Sequence, residues 1–121
     1  MRVLIADDEK HVSAVLAELV TSYGHEVVAM VGSGFDAVRA YHQHHPDVVL
    51  MDLMMARLNG ATATRLIRSQ DPAARIILLS GRASEEEVLA RDCGAVAALQ
   101  KPFRGERLND LLNASAPASA R

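Results

Sequence analysis

Reactive side chains stand behind four short apolar runs. Asp7 and Asp8 follow Val3-Leu4-Ile5-Ala6, Asp52 follows Val48-Val49-Leu50-Met51, Ser80 follows Ile76-Ile77-Leu78-Leu79, and Lys101 comes just after Val96-Ala97-Ala98-Leu99. Carboxylates brought into one crevice repel one another and rise in pKa unless a cation neutralises them. Hard oxygen donors beside a place for phosphate favour Mg2+, which keeps some waters and takes one or two carboxylates plus phosphate oxygens. Lys101 then offers a point charge to one phosphoryl oxygen and Ser80 a hydroxyl donor to another. The set describes the surroundings of a phosphorylated carboxylate.

Elements of a particular kind must hold these groups together. The four runs, joined by Val27-Val28-Ala29-Met30-Val31, do not alternate with polar residues. Continuous β-branched and aliphatic runs suit strands buried on both faces, as in a parallel sheet covered by helices. Their centres lie roughly 20 to 30 residues apart, room for a crossover helix each time. Val12, Val15, Leu16, Leu19, Val20 and Tyr23 form a helical stripe that ends at Gly24, where a left-handed cap falls. Ser84-Glu85-Glu86-Glu87 is a capping box that opens a fourth helix, closing at Gly94. Phe35, Val38 and Tyr41 mark the second helix, Leu66 and Ile67 the third, and Leu108, Leu111 and Leu112 the last. The order predicts an α/β chain of five β-α units, a doubly wound parallel sheet whose ligands bind beyond the carboxyl ends of the strands.

Composition agrees with one packed domain. The chain has 121 residues, half of them apolar and 23% charged. A net charge of -2 gives no global field to hold DNA or an anionic membrane, so no direct nucleic-acid binding and no membrane partner are expected. Cys93 is the only cysteine, and the apolar run after Arg2 meets Asp7, Asp8 and Glu9 too soon for a signal peptide; a cytoplasmic location is the expectation. No apolar stretch approaches the length of a membrane span. Beyond Asn113 the chain reads Ala-Ser-Ala-Pro-Ala-Ser-Ala-Arg, so 114–121 is expected to be a flexible tail or the start of a linker.

Leu4-Ile5-Ala6-Asp7-Asp8-Glu9, Val48 through Met55, Leu78-Leu79-Ser80-Gly81 and Lys101-Pro102-Phe103 together resemble the receiver domain of bacterial response regulators across residues 1–113. The resemblance implies a flavodoxin-like, CheY-like fold with strand order 2-1-3-4-5. It implies that Asp52 is the phosphoacceptor, that Asp8, Asp52 and the Met54 carbonyl hold Mg2+ with Asp7 acting through water, and that Ser80 and Lys101 sense the phosphoryl group. It also implies a cis Lys101-Pro102 bond that aims the lysine into the crevice. The donor would be the phosphohistidine of a sensor histidine kinase or a histidine phosphotransfer protein. Helix four, strand five and helix five would form the responding face, available to a downstream output domain, a target protein or a second copy in a homodimer. Such a domain catalyses only its own phosphorylation and slow dephosphorylation.

Three positions depart from the family pattern. Ala56 replaces a customary proline, which bears on the rigidity of that loop. Ala98 stands where many receivers carry an aromatic residue that swings inward, so activation is expected to run through the loop after Ser80 and the packing of helix four. Arg82, with Met54, is expected to flank the path of the hydrolytic water: Met54 cannot orient water and Arg82 can lie across the entrance, which predicts slow dephosphorylation.

Plainer readings exist for each residue. Adjacent acids after a strand can cap a helix, a serine there can be a turn residue, and a lysine can be merely solvated. His42 and His45 are one helical turn apart, but they precede Pro46 with His44 at a helix end, and no cysteine or carboxylate in the sequence pattern completes a ligand set. His11 and His25 are expected at the surface, and Cys93, with only Arg91 as a basic neighbour in sequence, is expected to be a spectator thiol. Among other functions, a Mg2+-dependent aspartyl-phosphate phosphatase would carry its acids as D-x-D after the first strand and a cap insertion. A flavin site would want Gly, Ser and Thr amides where this chain has three acids. A degenerate receiver acting as a phosphorylation-independent interaction module would lack part of the set formed by Asp8, Asp52, Ser80 and Lys101, which is intact.

Overall fold

The computed structural model describes residues 1–55 and 57–115. Ala56 and most of the Ala-Ser-rich tail lie outside the described residues, so the expectations placed on them have no structural counterpart. Strands β1 (Arg2–Ala6), β2 (Glu26–Val31), β3 (Val48–Asp52), β4 (Ile76–Ser80) and β5 (Ala97–Gln100) alternate with helices α1 (Lys10–Ser22), α2 (Gly34–His44), α3 (Gly60–Gln70), α4 (Glu85–Leu89) and α5 (Gly105–Ala114). All strand pairs are parallel, in the order β2-β1-β3-β4-β5.

The strand order explains which apolar runs are buried. Valine, isoleucine and leucine favour the pleated backbone, and β3 and β4 are buried along their whole length because strands flank them on both sides and helices cover both faces. β1 is buried from Val3 onward. β2 and β5 are the edges, and the expectation of burial on both faces fails there: Glu26 and Met30 are exposed and the rest of β2 is half-buried, while Gln100 is exposed at the end of β5. An edge strand has one neighbour fewer, so part of its side-chain surface stays in contact with solvent.

Alternate residues of the central strands feed two separate cores. Leu4, Val49, Met51, Ile76 and Leu78 pack with Ala37 and Tyr41 of α2, Ile67 of α3 and Val88 of α4. Val3, Ile5, Leu50, Ile77, Leu79 and Leu99 pack on the other face with Leu16 and Val20 of α1 and Leu108 and Leu112 of α5. The sheet is therefore held from both sides, and its carboxyl edge is left to the loops.

Local caps set where the helices begin. Ser33, Asn59 and Ser84 accept hydrogen bonds from the backbone amides of Asp36, Thr62 and Glu87, satisfying donors that the first turn of a helix leaves free. α1 stops at Ser22 and the chain turns at Gly24, whose φ of 87° suits a residue without a Cβ. The fourth helix corrects the sequence expectation. It ends at Leu89 instead of running to Gly94. Arg91 and Asp92 donate to Val88 and Leu89 in tight turns, Asp92 takes a left-handed φ of 50°, and the chain bends to bury the Cys93 thiol. The capping box is also half formed, because the Glu87 carboxylate accepts from the Ser84 hydroxyl at 3.2 Å instead of reaching back to the Ser84 amide.

His25 is a second correction. It is half-buried, with Nδ1 3.1 Å from the Met1 amine and Nε2 3.0 Å from Asn109 Oδ1, so it ties the start of β2 to α5. His11 is exposed. His42 contacts Gln70, and His45 forms the left-handed C-cap of α2. Among the described residues no helix is long and apolar enough to cross a membrane.

Candidate functional site at the carboxyl edge of the sheet

The polar groups that follow the apolar runs meet at one edge of the sheet. The backbone ladder continues past the strands and fixes them there: Asp7 N donates to Val31 O at 3.0 Å, Leu53 N to Leu79 O at 2.8 Å and Lys101 N to Ser80 O at 2.7 Å. Side-chain direction thus follows from strand register, not from loop conformation. The order of the strands makes β1 and β3 neighbours whose chains leave in opposite directions along the sheet, and the crevice opens at that switch point.

Asp7, Asp8 and Asp52 each bring a carboxylate oxygen to within 4.8 Å of the others. Their surroundings differ. Asp7 is 3% exposed, and both its oxygens are engaged: Oδ1 accepts from Glu9 N at 2.9 Å and Oδ2 from Lys101 Nζ at 3.3 Å. Asp8 is exposed and faces solvent. Asp52 is 8% exposed, with Oδ1 3.7 Å from Lys101 Nζ. Burial pushes the Asp52 carboxyl up to about 6; the Lys101 ammonium pulls it down, Asp7 and Asp8 push it up, and a hydrogen bond from the Met54 amide lowers it.

That balance bears on whether a divalent cation fits. One ammonium is shared between two buried carboxylates while a third stands beside them, so the crevice carries more negative than positive charge. All the converging donors are oxygens, and Asp8 presents a carboxylate to the open side. Oxygen donors with open positions for water match the demands of Mg2+. The residues present fit the ion.

Ser80 ends β4 at 2% exposure, and its Oγ accepts from Ala83 N at 2.9 Å. The hydroxyl proton remains available as a donor. Lys101 follows β5, and its bond to Pro102 is cis. A crevice of about 560 Å³ lies over these groups, lined by Asp52, Lys101, Gly81, Arg82, Met54 and Val12. Met54 is 70% exposed at its rim, and the Arg82 side chain borders both this crevice and a smaller one beneath α4. Ala98 is buried in the core behind the site, a small side chain where a ring would need room to turn.

Two features were not visible from motif spacing. Gly60 closes the β3–α3 loop beneath Asp52: its amide donates to Leu53 O at 2.8 Å, and a Cβ there would collide with the Asp52 carbonyl oxygen. The Asn59-Gly60 pair after the third strand was the available signal. Glu85, Gln100 and Arg107 join α4, β5 and α5 next to the site, through contacts between distant parts of the chain that no local pattern announces.

Comparison with known proteins agrees with the geometry. The sequence model for the response regulator receiver domain matches residues 3–113. The chain is 35% identical over 113 residues to the chemotaxis protein CheY of Bacillus subtilis, covering 93% of this chain and 94% of that protein. It is 39% identical over 113 residues to the transcriptional regulatory protein PdtaR of Mycobacterium tuberculosis, covering 93% of this chain but only 54% of PdtaR. Among solved structures, the CheX-CheY-BeF3-Mg2+ complex from Borrelia burgdorferi aligns with a TM-score of 0.86 at 28% identity, covering 97% of this chain and 90% of the matched one. The chain belongs to the response regulator receiver domain family, the CheY-like receivers of two-component signalling.

Proposed function

We propose that this receiver accepts a phosphoryl group on Asp52 from the phosphohistidine of a sensor kinase or a histidine phosphotransfer protein, in a Mg2+-dependent reaction. The observation that carries the reading is the convergence of Asp7, Asp8 and Asp52 with Lys101 at the carboxyl edge of the sheet. An Asp52 oxygen forms the new bond to phosphorus as the phosphorus–nitrogen bond of the donor breaks and its electron pair returns to the imidazole. Bound Mg2+ supplies charge neutralisation between the carboxylates and the phosphoryl oxygens. Asp8, Asp52 and the Met54 carbonyl would hold the ion, with Asp7 contributing through water while it orients Lys101. Lys101, already beside Asp52, and the Ser80 hydroxyl, drawn in with its loop, donate to phosphoryl oxygens, so the catalysis is one of alignment and electrostatics.

The same arrangement supports a slow loss of the phosphoryl group. Met54 and Arg82 border the mouth of the crevice, one unable to orient water and the other able to cover the entrance. A relative solved with BeF3 and Mg2+ supports the ligand chemistry, and the likeness to CheY supports a switch that acts by presenting an altered surface to a partner protein.

Incubation with a small acyl-phosphate donor and Mg2+, followed by intact mass, tests the reading. The parent should gain one phosphoryl group and Asp52→Asn none, since an amide is neither nucleophile nor anionic ligand. In the same experiment, decay of the phosphoprotein after donor removal should be faster in Met54→Asn with Arg82→Glu than in the parent. Equal adducts on parent and Asp52→Asn proteins would remove Asp52 as the acceptor, and equal decay would remove the shielding role.

A further inference from the structure

Ala98 leaves β5 without an aromatic side chain that could move in response to phosphorylation, and the polar contacts between the site and the α4–β5–α5 surface run along the outside of β5. The Arg107 guanidinium of α5 lies 2.5 Å from Glu85 Oε1, in the first turn of α4. The other oxygen of the same carboxylate accepts from the Gln100 amide of β5 at 3.5 Å. Gln100 in turn donates from Nε2 to the Arg82 carbonyl at 3.4 Å. Arg82 is in the loop that begins at Ser80, whose Oγ is held by the Ala83 amide. Arg107, Glu85, Gln100 and Arg82 therefore form an unbroken polar chain from α5 to the loop that carries the phosphoryl-sensing hydroxyl.

We propose that Glu85, Gln100 and Arg107 act as a latch that holds the β4–α4 loop in its unphosphorylated position and makes release of α4 from α5 part of the switch. The inference rests on Asp52 being the phosphoacceptor. When the Ser80 hydroxyl is drawn toward a phosphoryl group on Asp52, the loop from Gly81 to Ala83 moves with it, because the Ala83 amide is bonded to the same oxygen. That shift carries the Arg82 carbonyl and the start of α4, and both are tied to β5 and α5. A receiver whose α4 is only Glu85–Leu89 has little helix of its own to resist the motion, so the tie falls on side chains. The pair is partly exposed, at 52% for the Arg107 side chain and 34% for Glu85. Exposed ion pairs shift equilibria by a few-fold only, about two- to fivefold. Such a value suits a switch, since a stronger tie would block activation altogether.

Amide hydrogen exchange of the unphosphorylated protein and its rate of phosphorylation by a small acyl phosphate with Mg2+ test the latch together. Glu85→Gln and Arg107→Gln should each raise exchange in residues 81–90 without changing it in β1 and β3, and each should speed phosphorylation by about two- to fivefold. The exchanged pair Glu85→Arg with Arg107→Glu should bring both readouts back toward the parent, which a merely structural loss would not do. Unchanged exchange in 81–90 would show that nothing is latched and overturn the proposal. Raised exchange with an unchanged phosphorylation rate would overturn the coupling while leaving Asp52 as the acceptor. A parent protein that takes up no phosphoryl group would overturn the acceptor assignment itself, and the coupling with it, whatever the exchange reads.

Discussion

Burial raises the Asp52 carboxyl to about 6; the shared Lys101 ammonium opposes the rise, while Asp7 and Asp8 add to it. Because the folded pKa lies above the unfolded value, the native state binds a proton more tightly than the unfolded chain between those two values. The charged carboxylate therefore costs stability above pH 6, and the cost disappears below about pH 4 where both states are protonated. About two pKa units correspond to about 3 kcal/mol, reduced by water in the open crevice to about 1–2 kcal/mol. Asp52→Asn should accordingly unfold at higher temperature than the parent in EDTA at pH 7.5, with the difference shrinking as pH falls to 4. Melting curves that show no gain at pH 7.5 would contradict this account of the site. At this scale Asp7, Asp8, Asp52, Ser80 and Lys101 were legible in the sequence, because each follows an apolar run closely enough to be assigned to a strand end. His25 was not, since its partners, the Met1 amine and Asn109, lie far away in the chain.

Gly60 shows how an element is set against the site. It is the first residue of α3, a position where alanine is ordinarily the better helix former. A Cβ at Gly60 would collide with the Asp52 carbonyl oxygen and lie 3.0 Å from both Leu53 Cα and Leu78 Cδ2, so backbone at the end of β3 would have to move. Overpacking of this kind costs about 1–3 kcal/mol, more than helix propensity returns. Gly60→Ala should lower the urea midpoint, and a midpoint at or above that of the parent would show that the loop has room to relax. Apolar residues mark α1, α2, α3 and α5 because each packs a stripe on the sheet, while the capping signal places α4 and Gly94 sets its end too far along. The stretch after Leu89 contains apolar residues at helical spacing, but the chain leaves the helix through the left-handed Asp92 and lays Gly94 against the Arg68 side chain. No local signal weighs that contact against further helical turns. The Val-Val-Ala-Met run of β2 does not itself reveal an edge, since its composition is close to that of the central strands; its edge position follows only from the strand order that the family resemblance implies.

The molecule as a whole brings the acids together, because Asp7 and Asp8 reach Asp52 only when β1 and β3 pair between the two cores. A cation held by those groups binds the folded chain and has no comparable site on the unfolded one. It then stabilises the fold by about 2.7 kcal/mol at a free concentration one hundred times its Kd, a shift of several degrees for a domain of this size. Asp8 acts on this linkage with opposite signs in the two conditions. Without Mg2+ its charge raises the Asp52 pKa and so works against the fold; with Mg2+ it is the exposed carboxylate of the set, open to the ion. Asp8→Ala should therefore melt at or above the parent temperature in EDTA and below it in millimolar Mg2+, the two curves crossing as the ion is titrated. A substitution that merely loosened the packing would lower both. Sodium chloride at matched ionic strength controls for screening, which acts on exposed charges without needing a site. If Asp8→Ala gains as much thermal stability from Mg2+ as the parent does, Asp8 is not a ligand and the ion, where it binds, is held without it.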